Sequence, residues 1–129
     1  MINEIAHVAL LVRDYDEAIE FYCGKIGFIV IEDTKLIDKR WVRIKPSENA
    51  NTELLLSKAI GAEQSSMIGK QAGGRVFLFL HSDDLMNDVS KLKKAQVDFV
   101  EEPRTEVYGK VAVFKDLYGN RIDLIQPSF

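Results

Sequence analysis

Four polar side chains stand inside apolar, strand-like runs: His7 in HVALLV, Glu53 in ELLL, Arg75 in RVFLFL and Asp123 in IDLI. An imidazole with two carboxylates can hold a divalent cation such as Mn²⁺, Ni²⁺ or Zn²⁺, or pass a proton between acid and base. Arg75 works against the first use, because a guanidinium stays charged and has no lone pair for a metal. It suits a carboxylate or phosphate on a ligand, which its planar fork can clamp. Equally, it suits a structural ion pair with Glu53 or Asp123. His7 reads either as ligand or general base, or as a hydrogen-bonded strand histidine. Glu53 and Asp123 read either as an acid–base pair or as counter-ions of Arg75. Trp41, Phe77 and Phe79 could stack on a planar ligand or fill core. His81 lies six residues beyond Arg75, roughly 20 Å along an extended strand, and reads as a surface residue. Nothing near Cys23 would lower its pKa, so it reads as half-buried and inert.

The elements that position these residues occur twice. Residues 4–57 overlay residues 72–127 in the same order of patterns. HVALLV at 7–12 lies over RVFLFL at 75–80, and Asp14 lies over Ser82. After a two-residue slip, 29–32 lies over 99–102, 41–45 over 111–115, and 53–56 over 123–126. Each copy reads as strand, helix, strand, strand, strand. Asp14 with Glu17 has the form of a capping box, Ser82 is expected to cap the second helix, and Gly27 to end the first. Strands are expected at 28–32, 40–45, 52–57, 98–101, 110–115 and 121–126. Turns are expected at 46–51 and 116–120. Residues 58–73 are the linker between module one, 4–57, and module two, 74–127, within a single domain of 129 residues.

Alternation along strands gives each a helix face and an inner face. Val8, Leu10, Val12, Val76, Leu78 and Leu80 are expected under the helices. His7, Ala9, Leu11, Arg75, Phe77, Phe79 and His81 then face inward, with Glu53, Leu55, Arg121, Asp123 and Ile125, and with Trp41 and Arg43 beside Val111 and Val113. A helix on one face of a four-stranded sheet leaves the other face open. Two such modules in a pseudo-twofold arrangement would set concave faces around a cavity, where chemistry would lie.

Composition narrows the partners. The chain is 47% hydrophobic and 29% charged with a formal net charge of −3, which excludes a disordered segment. Asp plus Glu is 20 against 17 Lys plus Arg, so no basic excess exists to neutralise nucleic acid. No apolar run approaches the ~18 residues of a membrane span, and the acid-flanked N-terminal run is too short for a signal peptide. A lone cysteine suits a reducing cytoplasm, the expected location.

The runs IAHVALLVRD at 5–14, AIEFY at 18–22, IGF at 26–28 and VFKDLYGNRIDL at 113–124 resemble the vicinal oxygen chelate superfamily, the glyoxalase / bleomycin-resistance / extradiol dioxygenase group. The resemblance covers nearly the whole chain. It implies an α+β fold of two βαβββ modules, a curled mixed sheet around a cavity with helices outside, and a homodimer, sometimes with modules exchanged between chains. In metal-dependent members it implies ligands at His7, Glu53, Arg75 and Asp123. His7 and Glu53 match, Asp123 is one methylene short, and Arg75 departs. The expectation is therefore a protein that binds a small anionic organic molecule, paired to Arg75, in a pocket of His7, Trp41, Glu53, Arg75, Phe77, Phe79 and Asp123, with no essential metal or other cofactor. The alternative is a metal-dependent lyase, isomerase or dioxygenase using His7, Glu53 and Asp123.

Overall fold

Buried and half-exposed residues alternate along Arg40–Lys45, with Val42 and Ile44 fully buried. This period of two makes a strand with one face in a core. The computed structural model describes residues 1–128, and its contacts divide them into a unit spanning Met1–Ile68 and a second from Gly69 onward.

In the first unit, β1 (His7–Val12) leads through α1 (Tyr15–Ile19) and a π-helical stretch (Glu20–Lys25) to β2 (Ile29–Lys35), β3 (Arg40–Lys45) and β4 (Glu53–Lys58). The sheet order is β1-β4-β3-β2, with β1 parallel to β4 and the other pairs antiparallel. Leu10, Val12, Val42, Ile44, Leu54 and Leu56 bury one sheet face together with Ala18, Phe21, Tyr22 and Phe28. Burial of each large side chain stabilises by about 1.5–3 kcal/mol. The Tyr22 ring meets Phe21 and Phe28 edge-on at centroid distances of 5.3 and 5.4 Å. Asp14 caps α1, accepting the Glu17 amide at 2.9 Å. Gly27 follows the helix at φ +86°, the left-handed exit expected of it. Val8 departs from expectation: it is 42% exposed, while Leu10 and Val12 on the same face are fully buried.

A short helix, α2 (Gly61–Ser66), lies in the segment read from sequence as the linker between the modules. At six residues it carries too little apolar periodicity to be seen.

The second unit repeats the pattern. It consists of β5 (Val76–His81), α3 (Leu85–Lys94), β6 (Phe99–Glu106), β7 (Gly109–Lys115) and β8 (Arg121–Pro127), in the order β5-β8-β7-β6. Leu85, Val89 and Leu92 of α3 are buried, as are Ala112, Phe114, Ile122 and Leu124 of the sheet. The 116–120 turn is held by the Asp116 carboxylate, which accepts the amides of Tyr118 and Asn120 and the Asn120 side-chain NH₂ at 2.8–2.9 Å. Strands β2 and β6 run past their expected ends to Lys35 and Glu106, and β6 carries two register breaks around Glu101. The cap of α3 is Asp84, not Ser82: Asp84 accepts the Asn87 amide. The Ser82 hydroxyl instead accepts the Asp84 amide and donates to Asp88 at 2.5 Å.

That cap shifts the equivalence of the two modules. In the first sheet Ala9 and Leu10 pair with Leu55 and Leu56; in the second, Phe79 and Leu80 pair with Asp123 and Leu124. Asp14 and Asp84 are then equivalent caps, and Phe77, rather than Arg75, stands where His7 stands. Arg121 takes the level of Glu53, and Asp123 that of Leu55. The overlay of 41–45 on 111–115 holds, since Val42 and Ala112 face Leu56 and Leu124. A slip of two leaves every side chain on its own face, so the hydrophobic pattern alone does not detect it. The two modules and their shared strand order match the α+β architecture of two βαβββ modules that the resemblance implies.

Candidate functional site

In the first unit the parallel β1–β4 pairing sets His7 beside Glu53. His7 is half-buried, and the Trp41 ring lies edge-on to it at 5.8 Å between centroids. The antiparallel register sets Arg43 between β2 and β4, opposite Glu32 and Leu55. Its Nη1 donates to Glu53 Oε1 at 2.5 Å and its Nε to Glu32 Oε1 at 2.9 Å. The Glu53 side chain keeps 15% exposure and that of Arg43 26%, so the contact is partly shielded from water. The two carboxylates hold the guanidinium above its ordinary pKa, Glu53 first. Arg43 in turn draws Glu32 below the usual carboxylate range, helped by the Thr34 hydroxyl, which donates to Glu32 Oε2 at 3.0 Å. Sequence reasoning put Arg43 on the inner face but missed this pairing. The signal was there: a second cation on the strand that carries Trp41, flanked by the buried Val42 and Ile44.

In the second unit the site residues lie on the β5–β8 pairing. Phe79 is the partner of Asp123, and Val113 flanks Asp123 from β7. Phe79 is 64% exposed. The Asp123 Oδ1 is buried and accepts no hydrogen bond. Loss of water raises the Asp123 pKa, a shift that the Arg104 charge opposes and the Glu101 charge assists. A register break lets Val76 and Phe77 together span the level of Arg121. Arg75 was expected inside the strand. It lies just before β5 and is exposed, because the chain enters the sheet at Val76, and its amide closes a turn with the Ala72 carbonyl. No ion-pair partner meets the guanidinium of Arg75 or Arg121 among the described residues. His81, at the far end of β5, is exposed. Cys23 is half-buried in the π-helical stretch, and burial pushes its thiol pKa up, away from reactivity.

The donor set does not fit a resident metal ion. Glu53 is already committed to Arg43, and the position matching His7 in the second unit holds Phe77, which has no donor atom. Among the described residues, neither unit gathers three His, Cys, Asp or Glu side chains as such an ion needs. No helix among them is long and apolar enough to cross a membrane.

Comparison with known proteins agrees with this architecture. An uncharacterised protein of Shewanella frigidimarina is 50% identical over 128 residues, 98% of this chain and 95% of that protein. The crystal structure of UcmS2 superposes with a TM-score of 0.84 at 31% identity, covering 97% of this chain and 98% of its own. TnmS3, an antibiotic binding protein from Streptomyces sp. CB03234, superposes with a TM-score of 0.80 at 29% identity, covering 98% of both chains. The family model for the Glyoxalase/Bleomycin resistance protein/Dioxygenase superfamily matches residues 4–124, and the chain belongs to that superfamily.

Proposed function

We propose that this protein binds a small organic molecule carrying an anionic group, and does so without an essential metal. The observation that carries the reading is the Arg43–Glu53 contact at 2.5 Å, which occupies the carboxylate a metal would need. Phe77 at the level of His7 removes a second donor. What remains suits an organic ligand. The exposed ring of Phe79 offers a stacking face. Arg75 and Arg121, with uncommitted guanidinium groups at one end of β5 and β8, offer charge and paired donors for a carboxylate or phosphate. TnmS3, similar over 98% of both chains, is an antibiotic binding protein, which supports a small organic ligand here as well. In this reading Asp123 shapes the ligand face of the second unit, and His7 and Trp41 shape the inner face of the first, rather than catalyse.

Calorimetric titration with Mn²⁺, Ni²⁺ and Zn²⁺ tests the metal-free half. Weak, non-stoichiometric heats unchanged in His7→Ala support the proposal. A tight one-to-one site lost in His7→Ala refutes it in favour of the metal-dependent lyase, isomerase or dioxygenase. The ligand half is tested by screening planar carboxylates and phosphates against the protein and its Arg75→Ala/Arg121→Ala variant. Binding that the double variant retains in full would remove the anionic clamp.

A further inference from the structure

The first unit carries a separate cavity at the other end of its sheet. It has a volume of about 420 Å³ and is lined by Tyr15, Asp38, Lys39, Arg40, Lys58 and Ile60, among others. That volume falls within the range of small-molecule sites, about 300–1,000 Å³. Lys58 ends the strand that Glu53 begins, roughly 17 Å away along an extended chain, so this cavity is distinct from the His7–Glu53 face.

Its walls come from three places: the start of α1, the β2–β3 turn, and the chain leaving β4. One wall is fixed. Arg40 donates to both oxygens of Asp33 at 2.7 Å and to Asp16 at 2.9 Å, and its guanidinium lies 5.5 Å from the centre of the Tyr15 ring. These contacts consume the Arg40 charge and hold the Tyr15 ring in place. The other two cations are uncommitted. Lys39 and Lys58 reach the cavity from different elements, and neither meets a carboxylate among the described residues. Asp38 on the same rim offsets one of them. Because two carboxylates share the Arg40 charge, the surroundings as a whole are close to neutral, and the lining presents two unpaired ammonium groups beside an apolar surface of Tyr15, Ala59 and the 79%-exposed Ile60.

We infer that this cavity is a second ligand site, and that it takes a small monocarboxylate with an apolar body. The two ammonium groups would hold the carboxylate as point charges, while Tyr15 and Ile60 cover the hydrocarbon. A dianion is disfavoured by Asp38, and an uncharged analogue loses the only strong anchor.

The test uses 3-phenylpropionate as probe, followed on the whole protein by ¹H–¹⁵N NMR and calorimetry. Saturable shifts centred on Lys39, Lys58 and Ile60, with those of His7 and Glu53 unmoved, are expected. Binding should weaken at least tenfold for 3-phenylpropanamide and for the Lys39→Gln/Lys58→Gln variant, whose thermal midpoint should match the parent because both side chains are exposed. Raising the salt from 0.05 to 0.5 M should weaken the parent and leave the variant unchanged. The inference is overturned if the amide binds as well as the acid, if phenyl phosphate binds more tightly than the acid, if the variant retains affinity, or if the shifts centre on the His7–Glu53 face.

Discussion

Asp123→Leu should make the protein more stable at neutral pH. The wild-type Oδ1 is buried without a hydrogen bond, in a row with Phe79 and Val113. A buried acceptor with no partner costs about 1–3 kcal/mol, and leucine has the same branched skeleton and no such cost. For a domain of this length about 1 kcal/mol moves the thermal midpoint by roughly 4 °C, so the expected rise is about 4–12 °C at pH 7. The pH profile carries a second signature. Burial raises the Asp123 pKa above its unfolded value, so the folded state holds the proton over a window where the unfolded state has lost it. The wild type therefore loses stability as pH rises from the unfolded value, about 3.9, through the higher folded one. The leucine variant lacks this loss. Its advantage should be smallest below that window, grow across it and level off above. Urea unfolding of both proteins at half-unit steps from pH 3 to 8 reads both effects. A variant no more stable than wild type at pH 7, or an advantage independent of pH, would refute the reasoning.

Other outcomes follow from the same contacts. Replacing Arg43 by Met should raise the depressed pKa of Glu32 toward the ordinary carboxylate range in an NMR titration, the Thr34 hydroxyl still holding it partly down. It should also remove the part of wild-type stability that is present above the unfolded Glu32 value and lost as pH falls through the folded one. Asp84→Ala should cost about 1 kcal/mol in chemical unfolding by removing the α3 cap, whereas Ser82→Ala should leave the Asn87 amide protected from hydrogen exchange. Gly109→Ala should cost about 3 kcal/mol, because φ is +147° and a Cβ there would stand 2.2 Å from the Gln126 carbonyl oxygen. A Gly109→Ala protein with an unchanged midpoint would contradict that geometry.

Particular residues show how far the sequence reaches. The strand at Arg40–Lys45 was legible to the residue because Val42 and Ile44 alternate with polar neighbours. The repeated order of elements was legible too. The overlay of His7 on Arg75 was not correct, and face alternation is the reason: Phe77, Phe79 and Arg75 all fit the same face, and Ser82 and Asp84 are both residues that cap helices. Only the pairing of Leu80 with Leu124 decides between them. The site was legible as a set of residue types. Its central contact was not, because Arg43 meets Glu53 across strands whose register depends on the whole sheet. The π-helical stretch, too, arises from a single extra residue per turn, which periodicity over so short a helix does not resolve.

The strand order has a consequence for how the protein comes together. Strand β1 joins its sheet through β4, after a helix and two strands have intervened, and β5 joins through β8 in the same way. The neighbouring hairpins β2–β3 and β6–β7 close short loops and can form early, whereas each parallel pairing must wait for the whole module to be in place. On this argument the strands carrying His7 and Phe79 should be the last to be captured during folding. The same strands should open first in the native protein, so amide exchange at their inner positions should outpace that of β3 and β7 and give a ligand its way in.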